Sequence, residues 1–307
     1  MRLPCPLRFS RLRRGAGLLA CALLPWLAPC SEAAAVGTLD KIRASGQIFI
    51  GHRDGEIPFS YIIDGKVMGY SIDLCLRVAD GIRKTLGRDD LEVVYVPTSA
   101  ATRFIQLANG TIDLDCTTTT NSADRRRIVQ FSYPIFFSAN RFVAKKSSGL
   151  RVIKDLAGKT VVSTTGTFNV AQVHAVSQAN RLNISVMPVR SHLEAFERVK
   201  NGQIAAFAMD DVLLASLVAS SGAPQDFQIS TDAFGPPEPY GIVMRPNDPA
   251  IKKVVNETLA RLYTSGEINA IYAKWFTQPV PPSGINFNLP LSPELKAVYA
   301  APREYLN

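Results

Sequence analysis

Short apolar runs along the chain alternate with segments in which apolar residues recur every three or four positions. Runs with the composition of strands lie at 47–51, 91–97 and 111–117. Between the first two, segment 71–86 places apolar residues on one face and is followed by Gly87, which predicts an amphipathic helix with a glycine stop. Strands that alternate with helices in this way predict an α/β fold with largely parallel strand pairing.

The alternation starts again in the second half of the chain. Strands are predicted at 184–189 and 204–211, helices at 168–181, 191–201, 249–265 and 267–276, and a proline-rich tail along the surface at 278–295. We therefore predict two lobes, residues 36–140 plus 245–307 and residues 141–244. The chain would cross between them twice, near "SANRFVAKK" and near "PYGIVMRPN", and two such crossings form a hinge. A cleft between lobes is where small ligands usually bind.

Residues 1–35 have the pattern of a secretory signal peptide. Five arginines without an acid precede the apolar run "GAGLLACALLPWLA", and a small-residue site follows at Ala33-Ala34-Ala35. This pattern predicts export, with a mature protein that begins near Val36. An uncleaved anchor and a lipidated cysteine, at Cys21 or Cys30, are the alternatives.

Removal of the leader changes the charge balance. The chain carries a net charge of +8, whereas residues 36–307 hold 29 basic and 25 acidic residues, a net charge of +4. So small a charge gives no reason to expect a nucleic-acid partner. No Cys/His spacing suggests zinc, so neither a metal nor a cofactor is expected. Cys75 and Cys116 remain, and they could form one disulfide or stay two buried thiols.

Polar residues of complementary character follow the predicted strands. In an open α/β sheet, ligands bind beyond the carboxyl ends of the strands. The candidate ligand-binding residues at these ends are Arg53, Ser99, Arg103, Thr118, Thr120, Thr165, Thr167, His192 and Asp210. Arginine pairs bidentately with carboxylates, hydroxyls add neutral donors and an aspartate can accept from an ammonium, so a zwitterion with a second carboxylate would satisfy the set.

Each of these signals has a structural alternative. Threonine and serine before a helix are ordinary N-caps, and the pair Asp210-Asp211 could cap the helix that follows it. The triplet Arg125-Arg126-Arg127 is interpreted as a solvated face.

Longer motifs resemble a known family. "GTLDKIRASGQIFIGHRDGEIPFSY", "NGTIDLDCTTTTNSADRRR", "FAMDDVLLA", "YGIVMRPNDP" and "TSGEINAIYAKWF" resemble the periplasmic solute-binding proteins of amino-acid ABC importers, in particular their glutamate/aspartate-binding branch. The resemblance covers essentially all of residues 36–307. It implies a two-lobed clamshell, monomeric and without enzymatic activity, that closes on one acidic amino acid in the periplasm and delivers it to an inner-membrane permease.

The resemblance also implies roles for individual residues. Arg103 matches the arginine for the α-carboxylate, supported by Thr118 and Thr120, and Asp210 matches the acceptor for the α-ammonium. Arg53 and His192 match the positions that face the side-chain carboxylate in the acidic branch.

This chain departs from the branch at two positions. Ala100 stands where a serine is expected, and Phe168 stands where a further threonine is expected. An enzyme on the same fold, of the cyclohexadienyl dehydratase type, is an alternative that would need a general acid such as His192, Asp210 or Asp211. A ligand-sensing lobe of a receptor is a second alternative.

Overall fold

A computed structural model describes residues 37–306, and within the chain Val36–Asn307 forms one compact unit. The predicted leader, residues 1–35, lies outside the described residues. Among the helices of residues 37–306, none combines the length and the hydropathy needed to cross a bilayer.

The helices and strands alternate along the described chain as follows. The helices are Thr38–Ser45 (α1), Tyr70–Leu86 (α2), Arg103–Ala108 (α3), Phe168–Ala179 (α4), His192–Lys200 (α5), Asp211–Ala219 (α6), Pro249–Ser265 (α7), Glu267–Phe276 (α8) and Pro293–Ala300 (α9). The strands are Gln47–His52 (β1), Gly55–Glu56 (β2), Ser60–Ile63 (β3), Lys66–Met68 (β4), Glu92–Pro97 (β5), Leu114–Asp115 (β6), Gln130–Phe131 (β7), Phe136–Ser138 (β8), Asn140–Lys145 (β9), Thr160–Thr164 (β10), Ser185–Val189 (β11), Ala206–Asp210 (β12), Phe227–Ile229 (β13), Glu238–Tyr240 (β14) and Val243–Met244 (β15).

Two five-stranded sheets define two lobes. The first lobe is built on the sheet β5-β1-β6-β15-β7 and the second on β11-β10-β12-β9-β13. Between them, β8 pairs antiparallel with β14, with Phe137 opposite Pro239, so the two connecting segments lie side by side. The predicted α/β, two-lobed fold is therefore confirmed, while the exact lobe boundaries stay a prediction.

Strand pairing is mixed, and the expectation of largely parallel pairing was too simple. In each sheet three strands are parallel: β5, β1 and β6 in the first lobe, and β11, β10 and β12 in the second. The strands β15 and β9 then pair antiparallel to β6 and β12. Both follow a connecting segment directly, without a crossover helix, and strands that enter a sheet in this way can run against their neighbours.

Aromatic side chains tie the first lobe to the connecting segments. The ring centroid of Phe136 on β8 lies 4.9 Å from those of Phe59 and Phe276, and 5.9 Å from that of Tyr240 on β14. Each aromatic pair of this kind contributes roughly 0.5–1.5 kcal/mol beyond the burial of its area. The core of the first lobe thus extends into β8 and β14 and fixes where the connecting segments begin.

A disulfide joins Cys75 on α2 to Cys116, the residue after β6. The sequence left open whether these two cysteines form a disulfide or stay free thiols, and in the structure they form the disulfide. Because Cys116 directly precedes the run of threonines at 117–120, the bond anchors the start of that loop to the core.

Most of the predicted tail is exposed or partly exposed and lies along the surface as expected, but two of its residues and the helix at its end are anchored in the first lobe. Val280 is buried, and α9 buries Leu295 and Tyr299 against the first lobe. The hydroxyl groups of Tyr299 and Tyr70 lie 2.9 Å apart in a buried hydrogen bond. The apolar residues of "ELKAVYA", spaced three and four apart, are the sequence signal for this helix.

Candidate functional site

A small buried cavity lies at the carboxyl ends of strands from both sheets. It is lined by Arg53, Glu56, Ala100, Arg103, Thr118, Thr120, Arg125, Thr167, Phe168, Asn169, His192, Met209 and Asp210. The first seven come from the first lobe and the last six from the second. A molecule held here would contact both lobes.

Seven of the nine predicted site residues line this cavity. They are Arg53, Arg103, Thr118, Thr120, Thr167, His192 and Asp210. Ser99 lies outside it, on a wider cleft, where its hydroxyl group pairs with that of Thr102 at 2.9 Å. Thr165 is exposed on the β10–α4 loop, where its N–H donates to the carbonyl of Val189.

Glu56 is a central residue of the cavity that the sequence analysis missed. Its Oε1 lies 3.1 Å from Nε of Arg53 and 3.3 Å from Nε2 of His192. Its Oε2 accepts from the hydroxyl of Thr118 at 2.8 Å and from the N–H of the same residue at 3.2 Å. Burial by itself would raise the pKa of Glu56, but Arg53, His192 and Thr118 outweigh it and lower the pKa to about 2.

The position of Glu56 follows from local structure. The strand β2 pairs with β3 in a small hairpin sheet, which turns Glu56 back toward the end of β1. Arg53 lies three residues earlier, and its N–H is held by the hydroxyl of Ser60 on β3 at 2.9 Å. The close spacing of an arginine and a glutamate across Gly55 was the only sequence signal for this pair.

Two arginines of the cavity keep donors without protein partners. Across the described residues, the buried side-chain polar atoms that lack a hydrogen-bond partner are Nε of Arg53, Nε of Arg103 and Oδ1 of Asn140. The Arg53–Glu56 contact is an ion pair at 3.1 Å whose angle is not that of a hydrogen bond. Buried donors without partners are uncommon and costly, so they point to an acceptor that comes from outside the chain.

Arg125 is buried in the cavity wall, and its interpretation as a solvated residue was wrong. It lies on a single turn at Arg125–Arg127, where Nη1 donates to the carbonyl of Thr120 at 2.9 Å. Its Nη2 donates to the carbonyl of Gly166 at 3.2 Å, and Nη2 of Arg103 donates to the same oxygen at 3.3 Å. Two first-lobe arginines therefore converge on one carbonyl of the second lobe.

Burial lowers the pKa of both arginines. The pKa of Arg103 falls to about 9, chiefly by burial and then by the charge of Arg125, while Asp115 opposes the shift. The pKa of Arg125 falls to about 10, again chiefly by burial. Both guanidinium groups remain charged near neutral pH, and an anion between them would relieve their mutual repulsion.

The four threonines after β6 divide into two pairs. Thr117 and Thr119 donate to Asp115 at 3.0 and 2.7 Å, so they face the core. Thr118 and Thr120 alternate with them and line the cavity. The period-two alternation of extended backbone explains why only the second pair is available to a ligand.

A buried carboxylate and a helix start face the cavity from the second lobe. Asp210, at the end of β12, accepts from Nδ2 of Asn169 at 2.7 Å and from the hydroxyl of Tyr240. Burial raises its pKa, the nearby Asp211 adds to this, and the two hydrogen bonds oppose it. Asp210 is not a side-chain cap of α6, and Thr167 is the N-cap residue of α4 without a capping bond of its own.

The cavity is nearly full in this conformation. The space left for a water-sized sphere is about 10 Å³, roughly enough for one water molecule. A second space of about 390 Å³ adjoins it and shares Arg53, Glu56, Ala100 and His192 with it. Glu56 therefore lines both the small cavity and the wider cleft that adjoins it.

Two α/β lobes joined by paired connecting strands, with a polar cavity between them, define the class of two-lobed solute-binding proteins. The chain belongs to the bacterial extracellular solute-binding proteins, family 3, whose sequence profile matches residues 48–278.

Relatives of this chain are transport proteins. It is 39% identical to the L-glutamate/L-aspartate-binding protein of Pseudomonas aeruginosa over 95% of this chain and 98% of the relative. It is 36% identical to the glutamate/aspartate import solute-binding protein of Escherichia coli over 96% of this chain and 98% of the relative. These relatives are binding proteins and not enzymes, so the dehydratase alternative is not favoured.

Solved structures agree with the fold. An ABC uptake transporter substrate-binding protein from Streptococcus pneumoniae, with bound histidine, superposes with a TM-score of 0.69 at 26% identity, covering 80% of this chain and 98% of that one. An ancestral arginine-binding protein bound to arginine superposes with a TM-score of 0.66, also at 26% identity, covering 75% of this chain and 98% of that one.

Proposed function

We propose that this protein is the periplasmic solute-binding component of an amino-acid ABC importer. It captures an acidic L-amino acid, glutamate or aspartate, by closure of its lobes and delivers it to an inner-membrane permease. The observation that carries the proposal is that Arg53, Arg103 and Asp210 line one buried cavity between the lobes. The names of its relatives support the same ligand class.

Charge complementarity assigns the ligand groups. Arg103, with a buried Nε that no protein group accepts from, takes the α-carboxylate together with the hydroxyl of Thr120. The hydroxyl of Thr167 donates to the carbonyl of Thr164 at 2.7 Å, so Thr167 contributes as the residue that begins α4. Asp210 accepts from the α-ammonium. Arg53, His192 and Thr118 receive the side-chain carboxylate, because they already surround a carboxylate, that of Glu56.

The start of α4 strengthens the α-carboxylate site. Thr167 and Phe168 begin this helix at the cavity wall, and the first N–H groups of a helix attract anions. Phe168 supplies no hydroxyl but packs beside Arg125, whose guanidinium carbon lies 5.8 Å from the ring centroid.

Function follows from the distribution of these groups over two lobes. Arg53, Arg103, Thr118 and Thr120 belong to the first lobe, and Thr167, His192 and Asp210 to the second. A ligand that contacts both sets binds the closed state more tightly than the open one and shifts the population toward closure. The permease would then respond to the closed form.

The test is isothermal titration of residues 36–307, refolded to remove carried-over ligand, against the twenty common amino acids. We expect binding of glutamate, aspartate or both at micromolar affinity or tighter, and binding of glutamine and asparagine at least about tenfold weaker. Preference for a neutral or basic amino acid would contradict the proposal that the ligand is acidic, but it would still agree with a role in amino-acid transport. Absence of binding by every amino acid would contradict both.

A further inference from the structure

Glu56 occupies the place that the proposed function assigns to the ligand. Its two oxygens contact Arg53 and His192 at 3.1 and 3.3 Å and accept from Thr118 at 2.8 Å. These are the charged and hydroxyl groups that would read an acidic side chain. A carboxylate of the protein itself pairs with them in this conformation, although Nε of Arg53 donates no hydrogen bond to it.

The charges near the cavity are balanced before any ligand enters. Three buried arginines, Arg53, Arg103 and Arg125, are accompanied by three buried carboxylates, those of Glu56, Asp115 and Asp210. A zwitterionic backbone adds no net charge, whereas an acidic side chain adds one negative charge beside Arg53. Two carboxylates that share one arginine in a buried site repel each other strongly. Glu56 and an acidic side chain therefore exclude each other.

The free space in the cavity also indicates that Glu56 and an acidic ligand side chain cannot occupy it together. With Glu56 in place the cavity has free space of about 10 Å³, roughly enough for one water molecule, so a ligand carboxylate does not fit beside it. The adjoining cleft of about 390 Å³ is also lined by Glu56, so the side chain has room on that side.

We propose that Glu56 is an internal competitor of the ligand, which holds the side-chain subsite in the empty protein and leaves it when an acidic amino acid binds. The exchange replaces one carboxylate by another and keeps the charge of the cavity balanced. This inference rests on the proposed function. It makes Glu56 a specificity-determining residue, because only a ligand group that can take over Arg53, His192 and Thr118 displaces it without loss.

The same contact joins the lobes. Glu56 belongs to the first lobe and His192 to the second, and Nδ1 of His192 is held by the hydroxyl of Thr164 at 2.7 Å. Glu56 thus bridges the lobes as the ligand side chain would. The closed, self-occupied protein cannot bind, so its population lowers the apparent affinity by the fraction it removes.

The test compares the wild-type protein with Glu56→Ala and Glu56→Gln by isothermal titration with glutamate, aspartate and glutamine at pH 7. We expect Glu56→Ala to bind glutamate at least about tenfold more tightly, a change of about 1.4 kcal/mol. Glu56→Gln should show a smaller gain, because its amide fills the subsite without charge. Glutamine should gain less than glutamate in both variants.

Asp54→Asn is the matched control. It removes one negative charge from the same loop, but its side chain is 76% exposed and is screened by salt. Its glutamate affinity should stay within about twofold of wild type. An equal gain in Asp54→Asn and Glu56→Ala would show a general effect of charge and overturn the proposal.

A second readout follows closure without ligand. Small-angle scattering of ligand-free Glu56→Ala should give a larger radius of gyration than that of the wild-type protein, because the bridge to His192 is gone. An identical profile overturns the bridging role. Glutamate binding that is unchanged or weaker in both folded variants overturns the competition, even though the wild-type protein binds glutamate.

If the proposed function is wrong, the binding results for the wild-type protein and Glu56→Ala will differ from those that overturn the competition by Glu56. Acid binding by Glu56→Ala but not by the wild-type protein would refute the acidic ligand of the natural chain while keeping Glu56 as the occupant of the subsite. Should Glu56→Ala not fold, as judged by thermal unfolding, Glu56→Gln preserves the size of the side chain and carries the test.

Discussion

Arg103 brings five N–H donors into a buried place where protein acceptors are few. Its two terminal nitrogens donate to the backbone carbonyls of Ala100 and Gly166, while Nε donates to no protein group. The carboxylate of Asp115 lies 3.9 Å from Nε, too far for a hydrogen bond. A buried arginine in this state is prepared for an external acceptor, and a bidentate carboxylate has the matching geometry.

We predict that Arg103→Ala weakens the binding of every amino acid by at least about a hundredfold, roughly 3 kcal/mol, because the buried α-carboxylate of the ligand would lose its bidentate partner and keep only Arg125 nearby. Titration calorimetry against the wild-type ligand measures this loss. Arg127→Ala is the control, since Arg127 is an exposed arginine of the same lobe. Selective loss of acidic ligands, with neutral ones retained, would assign Arg103 to the side chain of the ligand instead.

Residues of the site differ in how far the sequence predicts them. Arg53, Thr118 and Asp210 lie at or shortly after the ends of strands, so the strand-end rule finds them. Glu56 was not found, because its orientation depends on the pairing of β2 with β3 after a reversal of the chain. Arg125 was not found because its direction is set by contacts with the carbonyls of Thr120 and Gly166.

Gly166, in the loop between β10 and α4 of the second lobe, contacts the first lobe through its backbone. A Cβ at this position would lie 2.4 Å from the carbonyl oxygen of Ala100 in the first lobe. Its φ of +81° is in the left-handed region that favours glycine. Its carbonyl accepts from both Arg103 and Arg125, so the backbone of this loop must approach the first lobe closely.

We predict that Gly166→Ala lowers ligand affinity at least about tenfold, because the added methyl group holds the lobes apart. Gly158→Ala is the matched control: Gly158 also has a positive φ, +69°, but nothing lies within 4 Å of its Cβ position. Both variants should lose stability by roughly 1 kcal/mol from backbone strain. Calorimetry and thermal unfolding of both proteins separate the two effects. Equal affinity losses would mean that strain, and not the contact with Ala100, is responsible.

Elements with strong periodicity matched the sequence-based prediction, and short ones did not. The helices Pro249–Ser265 and Glu267–Phe276 coincide with the predicted ones. Their bounds are predicted well because the apolar stripe, the proline that begins the first helix and the glycine between the two helices all indicate the same positions. The strand predicted at 111–117 shrinks to Leu114–Asp115. There the N–H of Asp113 donates to the carbonyl of Phe49, but the N–H of Phe49 donates to the side chain of Asp113 and not to a backbone carbonyl. Composition does not reveal this competition of a side chain with the backbone.

At the scale of the whole molecule, the sequence predicted two lobes and a cleft but not the state of the cleft. The positions of two chain crossings can be inferred from element order, because a chain that returns to a sheet already formed must cross back. Closure depends instead on single contacts across the cleft, such as Glu56 to His192 and Arg103 to Gly166. These contacts join residues from different lobes, and no local pattern encodes them.

One titration links the cavity to the stability of the molecule. Burial, and next the charge of Asp210, raise the pKa of Glu238 from 4.5 to about 7, although Arg125 opposes the shift. Because the pKa is higher in the folded state, folded protein keeps a proton that the unfolded chain has released. This contribution to stability is complete below pH 4.5 and disappears as the pH rises through about 7.

We therefore predict that ligand-free wild-type protein loses roughly 1 kcal/mol of unfolding free energy, relative to Glu238→Gln, between pH 5 and pH 8.5, a value reduced because Glu238 is only half-buried and solvent screens its charge. Urea unfolding of both proteins across this range measures the difference. A ligand ammonium beside Asp210 would favour the ionised form of Glu238 and lower its pKa. The stabilisation that a saturating ligand gives should then increase from pH 5 to pH 8.5 in the wild-type protein and stay nearly constant in Glu238→Gln. A parallel pH dependence in the two proteins would place the ammonium away from Asp210.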